Sequence, residues 1–283
     1  MSNLGVRRIR RAVLGLLVGV LAAGGASRLE LEGNFVQGGL VLGRAPPGSK
    51  VKFAGAPVRV TDDGRFVIGF GRDEGAQVDL EVRYPDGQSE RRPIIVKRRK
   101  YDIQRIDGLP PKKVTPPPEV MARIRKETRL VTDARARDSA RTDFLAGFRW
   151  PAPGRISGVY GSQRILNGEP RRPHFGVDIA APVGTPVRAP APGVVTLAEP
   201  DLYFSGGTIV VDHGHGLSSS FLHLSAVAVG VGDLVTTDTV IGAIGATGRA
   251  TGPHLDWRIN LKQRRLDPQL LMDGLPPPDN EQK

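Results

Sequence analysis

All five histidines of this 283-residue chain fall between His174 and His254, and the chain has no cysteine. Without a thiol there is no thiolate zinc site, iron–sulfur cluster, cysteine nucleophile or disulfide framework, so His, Asp and Glu must carry any metal chemistry. His174-Phe-Gly-Val-Asp178 sets an imidazole four residues ahead of a carboxylate. Gly176 and the Ala-Ala-Pro that follows disfavour a helix, but in an extended segment positions i and i+4 also share a face; the competing reading is a capped turn. His254-Leu255-Asp256 is more telling, because i and i+2 of a strand point the same way while Leu255 turns into the core. Thr251-Gly252-Pro253 before it is a turn that aims the strand. His223 follows Phe221-Leu222 and precedes Leu224, which places it at the end of another strand. The three fragments can supply a His and carboxylate ligand set plus two unligated imidazoles, the ingredients of metal-assisted hydrolysis. His213 and His215, in Asp212-His-Gly-His-Gly216, form either a second metal pair or, with glycines around them, a hairpin tip.

Strands must hold these residues. Residues 148–273 read as a β-domain, with runs such as Val194–Leu197, Thr208–Val211 and Val240–Ile244 between Gly and Pro, and no helical period beyond two turns. Residues 28–100 read as a small β-sandwich. Val78, Leu80, Val82 and Tyr84 alternate with period two, and Pro47-Gly48, Asp63-Gly64 and Asp86-Gly87 mark turns. No cluster of catalytic residue types lies there, so binding or spacing is its expected role. Residues 101–147 combine a Pro- and Lys-rich extended linker around Leu109–Pro118 with a charged helix from Glu119 to about Leu145. The helix offers i,i+4 pairs Glu119/Arg123 and Asp133/Arg137 and a thin stripe, Val120, Ile124 and Val131; it is expected to be a spacer or to lie on the following domain. The polar tail, residues 274–283, is expected to be disordered. The fold class is mainly β.

The formal charge is +11. Arg7, Arg8, Arg10 and Arg11 precede an uncharged run from Ala12 to Ala26 that ends in small residues, the pattern of a secretory signal. About 15 apolar residues is short for a bilayer span; an uncleaved inner-membrane anchor is the alternative, and membrane contact is expected through residues 1–26 alone. The expected location is the periplasm or cell envelope. Those residues hold four Arg and no acid, so their removal lowers the charge from +11 to +7, which still suits an acidic partner. Export, and the interleaved seven bases and five acids from Glu119 to Asp143, argue against nucleic acid. The run Lys97–Lys100 could meet an anionic polymer or phospholipid surface, or be a solvated strand end.

The second domain resembles the LytM-type, lysostaphin-like zinc metallopeptidases of family M23. The matching stretches are His174-Phe-Gly-Val-Asp178-Ile, Gly184-Thr-Pro-Val-Arg-Ala-Pro-Ala-Pro-Gly193-Val-Val, Phe221-Leu-His223-Leu-Ser and Gly245-Ala-Thr-Gly-Arg-Ala-Thr-Gly-Pro-His254-Leu. The resemblance implies packed antiparallel sheets with one Zn²⁺ per chain in a groove, and endopeptidase action on peptidoglycan stem peptides or cross-bridges. It also implies that His174 and Asp178 are metal ligands, that position 256 is the third, and that His223 and His254 are the unligated catalytic histidines. The family usually has His where Asp256 stands. A carboxylate oxygen can bind zinc at about 2.0–2.2 Å. One His and two Asp formally neutralise a dication, so weaker Lewis acidity and tolerance of harder ions such as Mn²⁺ are expected.

His223 or His254 is then expected to take a proton from water, in an order the spacing leaves open. Tyr160 could add a donor or be a packing aromatic. Asn167–Pro173 is expected to form a groove wall in which Arg171 and Arg172 could meet stem-peptide carboxylates. The alternative function is a catalytically weak or inactive LytM-like module that binds peptidoglycan and activates cell-wall amidases or serves other division or envelope proteins. The retained histidines and first two ligands favour the enzyme. A lipoyl or biotinyl carrier is disfavoured because no Lys occurs from Phe148 to Leu261.

Overall fold

The computed structural model describes residues 28–108, 115–272, 274 and 276. The expected export segment at 1–26, part of the linker, and the tail apart from residues 274 and 276 lie outside the described residues. Seven short strands open the molecule: β1 (Glu30–Gly33), β2 (Leu40–Arg44), β3 (Lys50–Phe53), β4 (Ala56–Val58), β5 (Arg65–Gly69), β6 (Gln77–Arg83) and β7 (Ser89–Ile95). They form two antiparallel sheets, ordered β1-β2-β5 and β4-β3-β6-β7. In β6, Val78, Leu80 and Val82 turn inward while Asp79 and Glu81 turn out, and they meet Val41, Phe66 and Ile68 of the other sheet in one apolar core. The β6–β7 hairpin turns at Asp86-Gly87. Gly87 has φ 86°, a region a side chain disfavours, and the Asp86 carboxylate accepts the Gln88 N–H at 3.0 Å.

The basic run 97–100 is not a free surface at Arg99. Its Nη1 donates to Asp267 Oδ2 at 2.7 Å, joining the first unit to the second. Beyond it, β8 (Ile103–Ile106) pairs in parallel with a strand of the second unit, β10 (Gln163–Leu166). The helix, α1 (Met121–Arg135), is shorter than the span expected to reach Leu145. Tertiary contacts end it: Asp138 pairs with Arg59 and Lys262, each at 2.9 Å, and Ser139 O accepts the His215 N–H at 2.9 Å. A 3₁₀ turn at Asp143–Ala146 replaces the remainder. The ion pair on the helix is Arg123–Glu127, with Arg123 also reaching Asp201, and not the expected Glu119/Arg123. Val131 and Ala134 pack on Leu197, Leu202 and Val210, so α1 lies on the second unit.

That unit comprises β9 (Arg155–Gly158), β10 (Gln163–Leu166), β11 (Glu169–Pro170), β12 (Val177–Ala180), β13 (Pro186–Arg188), β14 (Gly193–Leu202), β15 (Gly206–Gly214), β16 (Leu217–Val227), β17 (Leu234–Val235), β18 (Val240–Ile244), β19 (Leu255–Leu261) and β20 (Arg264–Leu266). The main sheet runs β17-β14-β15-β16-β19-β12-β9, with β18 bridging β13 and β16. In β19, Leu255, Trp257, Ile259 and Leu261 enter the core, which leaves His254, Asp256, Arg258 and Asn260 for the opposite face. Leu40 and Val67 of the first unit join that core beside Leu266. Among the described residues no helix is long and apolar enough to cross a membrane.

Candidate metal centre

Asp178 of β12 and Asp256 of β19 are direct cross-strand partners, flanked by Gly158 of β9 and Leu222 of β16. Two facing carboxylates repel, so the ladder needs cations at this point. His174, buried in the segment before β12, brings Nε2 to 2.9 Å from Asp178 Oδ1 and 3.5 Å from Asp256 Oδ2. One donor atom from each residue lies within 4.8 Å of the others. Both His174 ring nitrogens and Asp178 Oδ1 are buried; the 2.9 Å approach of Nε2 to Oδ1 lacks hydrogen-bond angles, so none of the three has a hydrogen-bond partner among the described residues. Leaving such an atom unsatisfied costs about 1–3 kcal/mol, so converging orphans mark a place built for a ligand. One imidazole and two carboxylates suit a divalent ion such as Zn²⁺ or Mn²⁺. A β-carbon at Gly158 would overlap Asp178 Oδ2, and one at Gly176 would crowd Asp256 Oδ1. Bare backbone at those two positions makes room for the carboxylates.

Two arginines complete the arrangement. Arg258, two residues along β19 from Asp256, donates from Nε to Oδ1 at 2.9 Å and from Nη2 to Oδ2 at 2.5 Å. Arg164 of β10 donates from Nη2 to Asp178 Oδ2 at 2.9 Å. Burial pushes the Asp256 carboxyl up, but Arg258 and His174 outweigh it and hold the group well below its usual range. Burial likewise pushes His174 down, and Asp256 and Asp178 outweigh it in the other direction. The expectation of a formally neutral loaded site therefore changes. With both carboxylates already matched by guanidinium groups, a dication leaves an excess of positive charge. The i+2 spacing of Arg258 from Asp256 is the one sequence signal for its role; Arg164 has none, since β10 reaches the site through its pairing with β8.

His223 and His254 stand beside the trio, their ring centroids 4.8 Å apart, with His254 Nε2 3.9 Å from Asp178 Oδ1. His223 Nδ1 donates to Thr247 O and His254 Nδ1 to Gly252 O, each at 2.8 Å. A carbonyl only accepts, so in the neutral rings each Nδ1 carries the proton and each Nε2 keeps a lone pair. Burial lowers His223 to about 4. His223 does not end its strand as expected: β16 continues to Val227, and His223, at φ 66°, lies where the β15–β16 register shifts. That bulge re-aims the ring.

Beside His174 and His223 opens a groove of about 790 Å³, lined by α1 and by Arg164, Leu166, Arg171 and Arg172 among others. Arg171 and Arg172 thus lie in a groove wall. Tyr160 does not. It is a core residue, 1% exposed, packed on Tyr101 and Phe175, and its hydroxyl already donates to Arg265 O at 2.7 Å. His213 and His215 make no second metal pair. The buried His213 ring bonds Pro192 O and Ser219 Oγ, while His215 occupies the turn after β15 and packs on Phe144.

The model of peptidase family M23 matches residues 172–268, which hold all five of these histidines and carboxylates. A crystal structure from Pseudomonas aeruginosa bearing the designation peptidase M23 is 33% identical, with TM-score 0.64 over 83% of this chain and 94% of that one. The "DD-carboxypeptidase/endopeptidase Mpg" of Neisseria meningitidis serogroup B is 37% identical over 125 residues, covering 44% of this chain and 28% of that protein. The "Peptidoglycan DD-endopeptidase ShyA" of Vibrio cholerae is 38% identical over 110 residues, 36% of this chain and 25% of that protein. The chain thus spans about a quarter of the length of these curated relatives.

Proposed function

The chain belongs to peptidase family M23, and from that premise we propose that it is a metal-dependent peptidoglycan endopeptidase of the cell envelope, cutting stem-peptide or cross-bridge bonds. The observation that carries the reading is the convergence of His174 Nε2, Asp178 Oδ1 and Asp256 Oδ2 beside two histidines whose Nε2 atoms are free to accept. Relatives named as peptidoglycan endopeptidases support the substrate class. The arginine-led run at residues 7–26 supports export.

A divalent ion held by His174, Asp178 and Asp256, Zn²⁺ first and Mn²⁺ as the harder alternative, would supply Lewis-acid polarisation of the scissile carbonyl and of the attacking water. His223 or His254 accepts the water's proton at Nε2, and the protonated ring then donates to the oxyanion or the leaving amine. The two carbonyls on Nδ1 keep both rings turned toward the centre. Thr247 O, which holds His223, is itself fixed because Thr247 Oγ1 donates to Leu224 O at 2.8 Å and accepts from Gly207 N at 3.0 Å.

The Arg258 fork on Asp256 favours a second reading, a weakly catalytic module that binds peptidoglycan and acts through a cell-wall amidase. Digestion of purified sacculi separates the two. Wild-type protein supplied with Zn²⁺ or Mn²⁺ should release new muropeptides, and His223→Ala should release at least about a hundredfold fewer. Identical muropeptide profiles with and without the protein would overturn the endopeptidase and leave the activator.

A further inference from the structure

The charge lining the groove is one-sided. Among the described residues that line it, Glu127 is the one acid, and its carboxylate is occupied by Arg123 Nε and by the Tyr203 N–H at 2.8 Å. Arg135, Arg171, Arg172, Arg249 and Arg265 line it as well, in addition to Arg164 and Arg258 on the metal carboxylates. Among the described residues, several of these guanidinium groups have only neutral partners. Arg135 Nε donates to Val131 O at 3.2 Å, and Arg265 Nη1 to Asn260 Oδ1. Arg171 Nη2 donates to Thr115 Oγ1 at 3.2 Å, while its Nε is buried with no hydrogen-bond partner among the described residues. Burial alone pulls Arg265 down to about 10. Burial together with Arg164, Arg258 and Arg171 pulls Arg249 to about 10 as well. Crowded, half-buried cations of one sign weaken a fold unless something anionic joins them.

These arginines come from separate elements: the end of α1, the segment after β11, and β20. One carboxylate satisfies one planar fork. We propose that the groove takes a peptide carrying at least two free carboxylates and discriminates against the same peptide with those groups amidated. The inference rests on the reading of this site as a peptide-cleaving groove, and deepens it. A bound dication strengthens the preference, because it adds to the positive charge around Asp178 and Asp256.

The test is calorimetric titration of the full chain, silenced as His223→Ala and independently as His254→Ala, with a synthetic peptide bearing two free carboxylates and with its bis-amide. The acid should bind at least about tenfold tighter at low salt, with the preference shrinking as salt rises. Arg171→Gln combined with Arg265→Gln should reduce that preference to about threefold or less, with the melting temperature of the parent retained. Equal affinity for acid and amide, no binding of either, or an undiminished preference in the double variant would overturn it. Selective binding without any cleavage of sacculi by wild type would sink the endopeptidase reading and leave this inference standing. Cleavage of acid and amide at equal rates would do the reverse.

Discussion

Asp256 carries two obligations at once, as the third donor of the metal trio and as the counter-ion of Arg258. Asp256→Ala removes both. It should lower metal affinity by at least about tenfold and cost about 3 kcal/mol, because it strands a guanidinium that had a bidentate partner. Asp256→His should keep the metal. Metal analysis by mass spectrometry with denaturant titration of both variants reads the two effects, and full metal content in the Ala variant would remove Asp256 from the ligand set. His223 makes a different prediction. Its pKa falls from about 6.5 unfolded to about 4 folded, so the unfolded chain binds the extra proton. Stability from this group is complete above about 6.5 and drains away as pH falls toward 4, by about 2 kcal/mol at pH 5. In unfolding followed from pH 7.5 to 4.5, His223→Gln should show a flatter slope than wild type. Parallel slopes would mean that burial does not hold the ring neutral.

Elements decide which residues reach the centre. The period-two alternation of β19 let His254, Asp256 and the core position Leu255 be read directly from sequence, and the same rule governs Val78, Leu80 and Val82 in β6. Bulges and tertiary override were not legible. His223 needed a register shift that no local pattern announces, and α1 stops at Arg135 although its composition favours continuing, because Asp138 and Ser139 have partners elsewhere. Tyr160 was ambiguous in sequence because an aromatic before a site looks alike whether it packs or donates. Strand β9 contributes through an absence of side chain. Gly158→Ala would force the Asp178 carboxylate aside, and metal affinity should fall by about tenfold or more while the circular dichroism spectrum is retained. Unchanged affinity would show that the carboxylate has room to spare.

At the scale of the whole molecule the two β units are continuous. Leu40 and Val67 share a core with Leu266, Asn34 Nδ2 donates to Leu270 O at 2.7 Å, and Arg99 reaches the buried Asp267. Arg99→Ala should cost about 3 kcal/mol, since among the described residues the Asp267 carboxylate then keeps the Gln269 N–H at 3.0 Å alone. Calorimetry of the wild type should show one endotherm; two resolved transitions would mean that the units unfold independently.

The pairing of β8 with β10 gives that continuity a practical edge. A domain cut from the chain at Phe148 would lose β8 and α1 together, and with them the strand that braces Arg164 and one whole wall of the groove. The unit that carries the His174, Asp178 and Asp256 trio is therefore not a detachable cassette. Chimeras that exchange the amino-terminal half would inherit a different groove, so grafting boundaries belong before Ile103 and not at the start of the family match.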